Sequence, residues 1–176
     1  KNTLVLLSVG NCSIIKNHNL ILKTLSILPK NLNWVYFHVG NEVSNRSERK
    51  FAKELNIYKK CRFIGAKYDF SNYGNISDIY IMPSLVEGLG IATIEAGAIG
   101  LIPILTRVPG NNDILKKVKG TIGINQTPKS LTQAILKIYI MKKKEKSKIS
   151  FSIHQQMNLY WPEKNFYSWI KFYRSI

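Results

Sequence analysis

Short apolar runs, three of the six ended by a glycine, alternate along this chain with stretches whose apolar residues recur every three or four positions. Thr3-Leu4-Val5-Leu6-Leu7-Ser8-Val9 is continuous and stops at Gly10, as a strand buried on both faces does. Asn17 to Leu28 places Leu20, Ile21, Thr24, Leu25 and Leu28 at helical spacing, and Pro29 closes that helix. Trp34 to Val39 predicts a second strand, ended by Gly40; Ser44 or Asn45 can then cap a polar helix reaching Leu55. Arg62 to Gly65 predicts a third strand and Ile76 to Met82 a fourth, followed by a helix opening at Gly88 to Gly90. Leu101 to Leu105 is a fifth, in which Pro103 needs a position that tolerates its missing N–H. Gly120 to Ile124 is a sixth, and Pro128 starts a long helix through Lys144. Strands alternating with helices predict a parallel sheet wound with right-handed crossovers.

The basic stretch Lys142 to Lys148 reads as the one hinge, dividing residues 1–148 from a helical tail at 149–176. From Pro162 a helix aligns Phe166, Trp169, Ile170 and Tyr173 on one face, which belongs either against its own domain or against a partner domain. The first residue is Lys and a strand follows almost at once, as in a fragment of a longer chain.

Composition narrows the classes. At 176 residues and 45% hydrophobic, the chain fits one globular domain, burying about 70% of its unfolded surface. No apolar run approaches the roughly 20 residues of a membrane span, and no signal-peptide pattern opens the chain. Cys12 and Cys61 read as two reduced thiols of a cytoplasmic protein. The formal charge is +16, carried by 21 Lys and 5 Arg, so bidentate arginine recognition is not the theme. The densest run, Lys142-Lys143-Lys144-Glu145-Lys146-Ser147-Lys148, reads as a solvated helix end whose cations suit the negative pole of the dipole. An anionic membrane surface or a nucleic acid would also suit it. No aromatics interleave the run, which argues against specific nucleic-acid recognition.

The candidate chemistry concentrates in Glu87-Gly88-Leu89-Gly90-Ile91-Ala92-Thr93-Ile94-Glu95, at a switch from strand to helix. A helix starting there presents unpaired N–H groups and a positive dipole end, which suit a phosphate. Carboxylates accept from hydroxyl pairs, as on a ribose or a hexose. With a helix starting near Leu89, Glu95 lies two turns in, about 7–9 Å along the axis. A glycosidase acid and nucleophile about 5–5.5 Å apart is the competing chemistry, although such pairs sit on separate loops. Two solvated helix glutamates are the plain alternative. Lys16, in the loop after the first strand with Gly10 and Asn11, is placed to neutralise an anion in the same crevice. No Asp-x-Asp occurs, and His18, His38 and His154 lie far apart in sequence with no His/Cys cluster at metal spacing. Neither a metal nor another cofactor is therefore expected. The absence of Gly-x-Gly-x-x-Gly after the first strand argues against a nicotinamide dehydrogenase.

Taken in order, Ser8-Val9-Gly10 with Lys16-Asn17-His18, Phe37-His38-Val39-Gly40, Arg62-Phe63-Ile64-Gly65, Asp78 to Ser84, and Glu87-Gly88-Leu89-Gly90 with Glu95-Ala96 resemble the donor-binding half of a GT-B glycosyltransferase of family 4. The resemblance implies a Rossmann-like, three-layer α/β domain with a mostly parallel six-stranded sheet and a C-terminal crossover helix. It implies a retaining, metal-independent transfer from a nucleotide-diphosphate sugar, UDP- or GDP-linked, while richness in Lys, Ile and Asn suggests an AT-rich bacterial genome and hence surface polysaccharide or glycolipid synthesis. By the same resemblance Lys16 binds the diphosphate, Glu87 contacts the sugar near the reacting carbon as the catalytic residue, and Glu95 holds the ribose hydroxyls. Gly10, Asn11, Ser84, Gly88, Leu89, Gly90 and Ile91 join the donor site, and Ile64 and Ala66 border the base. Partners so implied are the donor and an N-terminal acceptor domain; the basic charge of the chain adds an anionic inner membrane face, on which a cytoplasmic protein would sit peripherally. One departure stands out: the family often carries Arg after the first-strand glycine, where this chain has Asn11, and Arg107 is the candidate substitute. A free-standing, non-catalytic nucleotide-sugar or anion-binding module is the alternative.

Overall fold

In a computed structural model, residues 3–42 and 46–160 are described. Six strands form one sheet: β1 (Leu4–Val9), β2 (Trp34–Val39), β3 (Cys61–Gly65), β4 (Ile79–Met82), β5 (Ile102–Thr106) and β6 (Ile122–Ile124). Every pairing is parallel and the order is β3-β2-β1-β4-β5-β6. The chain thus winds outward from β1 to β3, returns to the middle at β4, and winds outward the other way. Helices α1 (His18–Ser26), α2 (Ser47–Glu54) and α6 (Pro128–Ile140) pack together, while α4 (Ile91–Ile99) packs with α3 (Ser71–Gly74) and α7 (Lys143–Met157). With α5 (Pro109–Lys117) these make the three layers of a Rossmann-like α/β domain. The core is the continuous apolar strands themselves: Leu6, Leu7, Ile79, Tyr80, Ile81, Ile104 and Leu105 are wholly buried. Each contributes about 1.5–3 kcal/mol relative to exposure.

Pro103 sits inside β5, between two neighbours, yet leaves no ladder bond unmade. Ile102 N donates to Asp78 O on the β4 side, so the next residue faces β6, and β6 pairs only from Ile104 onward. β4 begins at Ile79 rather than Ile76 because Ile76 is exposed and Asp78 is occupied with β1. Its N–H donates to Val5 O, and its Oδ2 accepts from Val5 N at 2.8 Å.

The expected helix from Pro128 to Lys144 stops at Ile140. Met141 and Lys142 turn extended, and the basic run opens α7 instead of forming a hinge. Burial explains the break: Ile138 ends the stripe that α6 buries, while Ile153 and Met157 need a surface on the other side of the sheet. They find it at Gly97 of α4, where a Cβ would lie 2.5 Å from Met157 Cγ. α7 runs unbroken through residues 148 and 149. The lysines therefore stand at the positive pole of a helix, not at the negative pole expected from the sequence. Lys143 and Lys146 join Lys30 and Lys60 around a groove of about 1250 Å³ at the amino ends of the strands, beside Thr3, Asn33 and Asp78. Two helices had no counterpart in the sequence pattern: α3, introduced by Asp69, whose carboxylate accepts from Ser71 N and Oγ, and α5, whose Pro109 occupies the first turn where no N–H is required. Ser44 and Asn45, the expected caps of α2, and the helix from Pro162 carrying Phe166, Trp169, Ile170 and Tyr173 lie outside the described residues.

Candidate functional site

Because β1 and β4 are neighbours at the point where the strand order reverses, the loops leaving their carboxyl ends face one another. Residues 10–17 follow β1 and residues 83–90 follow β4, and hydrogen bonds join the two loops directly. Leu85 N donates to Ile15 O at 2.7 Å and Asn17 Nδ2 donates to Pro83 O at 3.2 Å. Across this seam Lys16 Nζ donates to Glu87 Oε2 at 2.9 Å. Ser84, wholly buried, donates its hydroxyl to the same oxygen at 2.9 Å. Thr106, at the end of β5, in turn donates to Ser84 O at 2.6 Å. Lys16, Ser84 and Glu87, spread over more than 70 positions of sequence, therefore meet at one carboxylate.

The helix beyond them begins at Ile91, two residues later than the spacing suggested, because Gly90 takes a left-handed conformation (φ 64°) that glycine adopts without strain. Thr93 and Ile94 N–H both turn back to Gly90 O. No side chain caps α4, so the amides of Gly90, Ile91 and Ala92 are left without intrahelical partners. Gly88 and Leu89 are exposed beside them.

Two residues that sequence reasoning passed over shape this loop. Gly110, second in α5, lies so close that a Cβ there would stand 2.0 Å from both Glu87 O and Gly88 O. Asn111, wholly buried, donates its amide to Thr106 O, while its Oδ1 has no partner among the described residues and lies beside Gly90. The Pro-Gly-Asn-Asn sequence reads as a loop, so its only available signal was the position after a strand.

Glu95 is not part of the Lys16–Glu87 contact. It makes no hydrogen bond among the described residues and lines a separate concavity of about 430 Å³ with Tyr68, Asp69, Phe70, Ser71, Ala98, Ile99 and Asn158. Burial, then the charge of Asp69, holds its carboxyl above the usual range. The β3–α3 loop runs from Ile64 and Gly65 through exposed Ala66 to Tyr68, so the end of β3 and Glu95 border the same side of α4.

The remaining sequence-derived residues sit at the other strand ends. Gly10 N donates to Val39 O and Gly40 N to Gly65 O, knitting the three glycine turns together. A Cβ on Gly40 would stand 2.0 Å from Gly10 O, so this close approach admits only glycine. Asn11 accepts from Asn41 N through its Oδ1 at 2.9 Å. Arg107, offered as the substitute cation, instead donates to Gly123 O on β6. The expected separation of the histidines and cysteines does not hold for three of them. His18 and His38 pack edge to face, with ring centroids 4.5 Å apart, and Cys12 Sγ lies 3.3 Å from His38 Nε2. The sheet brings together what the sequence spaces apart, whereas His154 bonds Ala98 O on α4. Cys12 and Cys61 are both buried and not disulfide-linked; burial pushes the Cys61 thiol up to about 12.

Among the described residues no helix is long and apolar enough to cross a membrane. The chain is 32% identical over 83 residues to an Escherichia coli UDP-Gal:alpha-D-GlcNAc-diphosphoundecaprenol alpha-1,3-galactosyltransferase, covering 47% of this chain and 21% of that protein. An uncharacterized Haemophilus influenzae glycosyltransferase is 36% identical over 97 residues, 54% of this chain and 28% of that one. The matched segment thus spans less than a third of either relative. In fold, Anabaena HepE, solved with UDP and glucose, superposes with TM-score 0.75 at 15% identity, over 89% of this chain and 45% of that one. The sequence profile described as Glycosyl transferases group 1 matches residues 1–152. By this match, along most of its length, the chain belongs to the group 1 glycosyl transferases.

Proposed function

We propose that the chain is the donor-binding half of a retaining glycosyltransferase whose transfer step needs no metal and whose donor is a UDP- or GDP-linked sugar. The observation that carries this reading is the meeting of Lys16 and Glu87 at 2.9 Å across two facing loops, beside an uncapped helix start. Lys16 and the free amides of Gly90 to Ala92 stabilise the departing diphosphate, fixed in place before charge develops there. Glu87, oriented by Ser84, faces the sugar near the reacting carbon. Glu95, unpaired in its concavity, takes the ribose hydroxyls, with the base towards Ile64 and Ala66. The glycan-lipid substrate named for the Escherichia coli relative and the UDP and glucose held by Anabaena HepE support a donor of this class and a role in bacterial surface glycan assembly. The acceptor side belongs to a separate N-terminal domain, and an anionic membrane face is a further partner.

Calorimetric titration with UDP, GDP, ADP and their sugars tests the reading. One nucleotide class binds, and Lys16→Ala and Glu95→Ala each weaken it by about tenfold or more, as loss of a charge-assisted hydrogen bond requires. Absence of any binding, or native affinity in both variants, would overturn the assignment. Asn11 favours a second reading, a non-catalytic nucleotide-sugar module, since no Arg follows Gly10 and Arg107 is engaged on β6. Transfer activity in a chain that also carries an acceptor domain separates the two.

A further inference from the structure

Behind the Gly10 turn, Cys12, His18 and His38 form a cluster that donor binding leaves unused. They come from the loop after β1, the start of α1 and the end of β2, and all are buried. One sulfur and one nitrogen from each ring lie within 4.8 Å of one another. His18 Nδ1 has no hydrogen-bond partner among the described residues, although His18 is only 3% exposed. An unsatisfied polar atom at that depth is costly, and a ligand would relieve it. Burial keeps both imidazoles neutral, lowering His18 to about 3 and His38 to about 4, so each offers a lone pair.

We propose that Cys12, His18 and His38 together bind one divalent ion of the zinc class. A tetrahedral ion with Zn–S near ~2.3 Å and Zn–N near ~2.0–2.1 Å sets neighbouring sulfur and nitrogen ligands about 3.5 Å apart. The Cys12 Sγ to His38 Nε2 separation is 3.3 Å. An outer shell is already built: Ser8 Oγ lies 3.3 Å from His38 Nδ1 and 2.6 Å from Tyr36 OH. With Nε2 on the metal, Nδ1 carries the ring hydrogen and donates it to Ser8 Oγ, fixing tautomer and ring orientation. On binding, the thiol S–H is replaced by a sulfur–metal bond and its proton leaves to solvent; both imidazoles enter neutral, nothing is oxidised or reduced, and water takes the fourth position. Such an ion ties the Gly10-to-Lys16 turn to β2 and to α1. It positions the loop that carries Lys16 and has no part in the transfer step.

The test loads the 176-residue chain with zinc, removes excess metal, counts bound ions by plasma mass spectrometry, and measures affinity by competition with a chromophoric chelator. One ion per chain is expected. The cobalt(II) form should show a sulfur-to-cobalt charge-transfer band that Cys12→Ser abolishes and Cys61→Ser leaves. Ser8→Ala should weaken binding by about 10–100-fold with the fold unchanged by circular dichroism. If Cys12→Ser fails to fold, the native cobalt spectrum and Ser8→Ala still decide. A native chain that retains no metal and shows no such band overturns the proposal. So does zinc binding of equal strength in Cys12→Ser and His18→Gln, which would mark adventitious surface sites.

Discussion

Replacing Gly110 with alanine sets two forces of known size against each other. In a helix interior alanine is favoured over glycine by about 0.8–1 kcal/mol, which is the upper bound for the second position of α5. Gly110 has ordinary helical backbone, so nothing in its φ opposes the change. The opposing force is contact: the new Cβ would stand 2.0 Å from Glu87 O and from Gly88 O, and 2.5 Å from Glu87 C. An ordinary C···O approach is about 3.3–3.6 Å, so the two segments must part by about 1.3 Å or more. Both obstacles are backbone and cannot rotate away. Overpacking of this kind costs about 1–3 kcal/mol, which exceeds the propensity gain. The expected net loss of up to about 2 kcal/mol lowers the melting temperature by up to about 4–8 °C for a domain of this size. The displaced loop also carries Glu87 away from Lys16. Misplacement by about 1 Å costs on the order of 10²-fold in rate in an intact enzyme. In the isolated chain the readouts are thermal melting and nucleotide-sugar titration. A Gly110→Ala protein that melts at or above the native temperature and binds donor equally would refute the steric reasoning.

Other outcomes follow from the same geometry. Thr106→Val keeps shape but leaves Ser84 O without its hydroxyl donor, and urea unfolding should show a loss of about 1–3 kcal/mol. Glu95 has a raised carboxyl, so it favours the fold when protonated, and that contribution is lost as pH rises through its folded value. Glu95→Gln should therefore be slightly more stable than native at neutral pH, by less than about 0.5 kcal/mol, with the difference closing on acidification, while nucleotide affinity falls. Glu42 is the opposite case, held below the usual range by the two hydrogen bonds it accepts from Arg49. Its contribution is present above the unfolded carboxylate value and disappears as pH falls through the lower folded one. Glu42→Gln should cost about 0.5–1 kcal/mol at neutral pH, allowing for solvent screening, and nothing in acid. The isolated 176 residues should bind donor yet transfer little or no sugar, and robust turnover in a radiolabel assay would contradict this.

The central strands were readable because a sheet buried on both faces demands uninterrupted apolar runs, and Leu6-Leu7 and Ile79 to Met82 supply them. The end of α6 was not readable, since nothing local distinguishes Ile140 from a residue inside the helix. The stop is imposed by Met157 and Ile153 needing Gly97, far away in sequence. Ser84 was named only through the family resemblance, whereas Glu87 and Lys16 stood out through loop position and strand order, both of which sequence conveys. Gly110 and the Cys12–His18–His38 cluster did not, because their meaning lies in which backbone or ring comes alongside once β1, β2 and β5 are laid down.

The lysine-lined groove and the Lys16–Glu87 seam occupy opposite ends of the strands. The six residues of β1 separate them by about 20 Å. That is about two and a half times the Debye length at physiological ionic strength, so each end is electrically almost invisible to the other. Lys143 or Lys146 can be gained or lost with little effect on the affinity at the crevice. Charge at the amino ends of the strands and the geometry of the crevice are thus separate evolutionary variables, and one can drift while the other stays under selection.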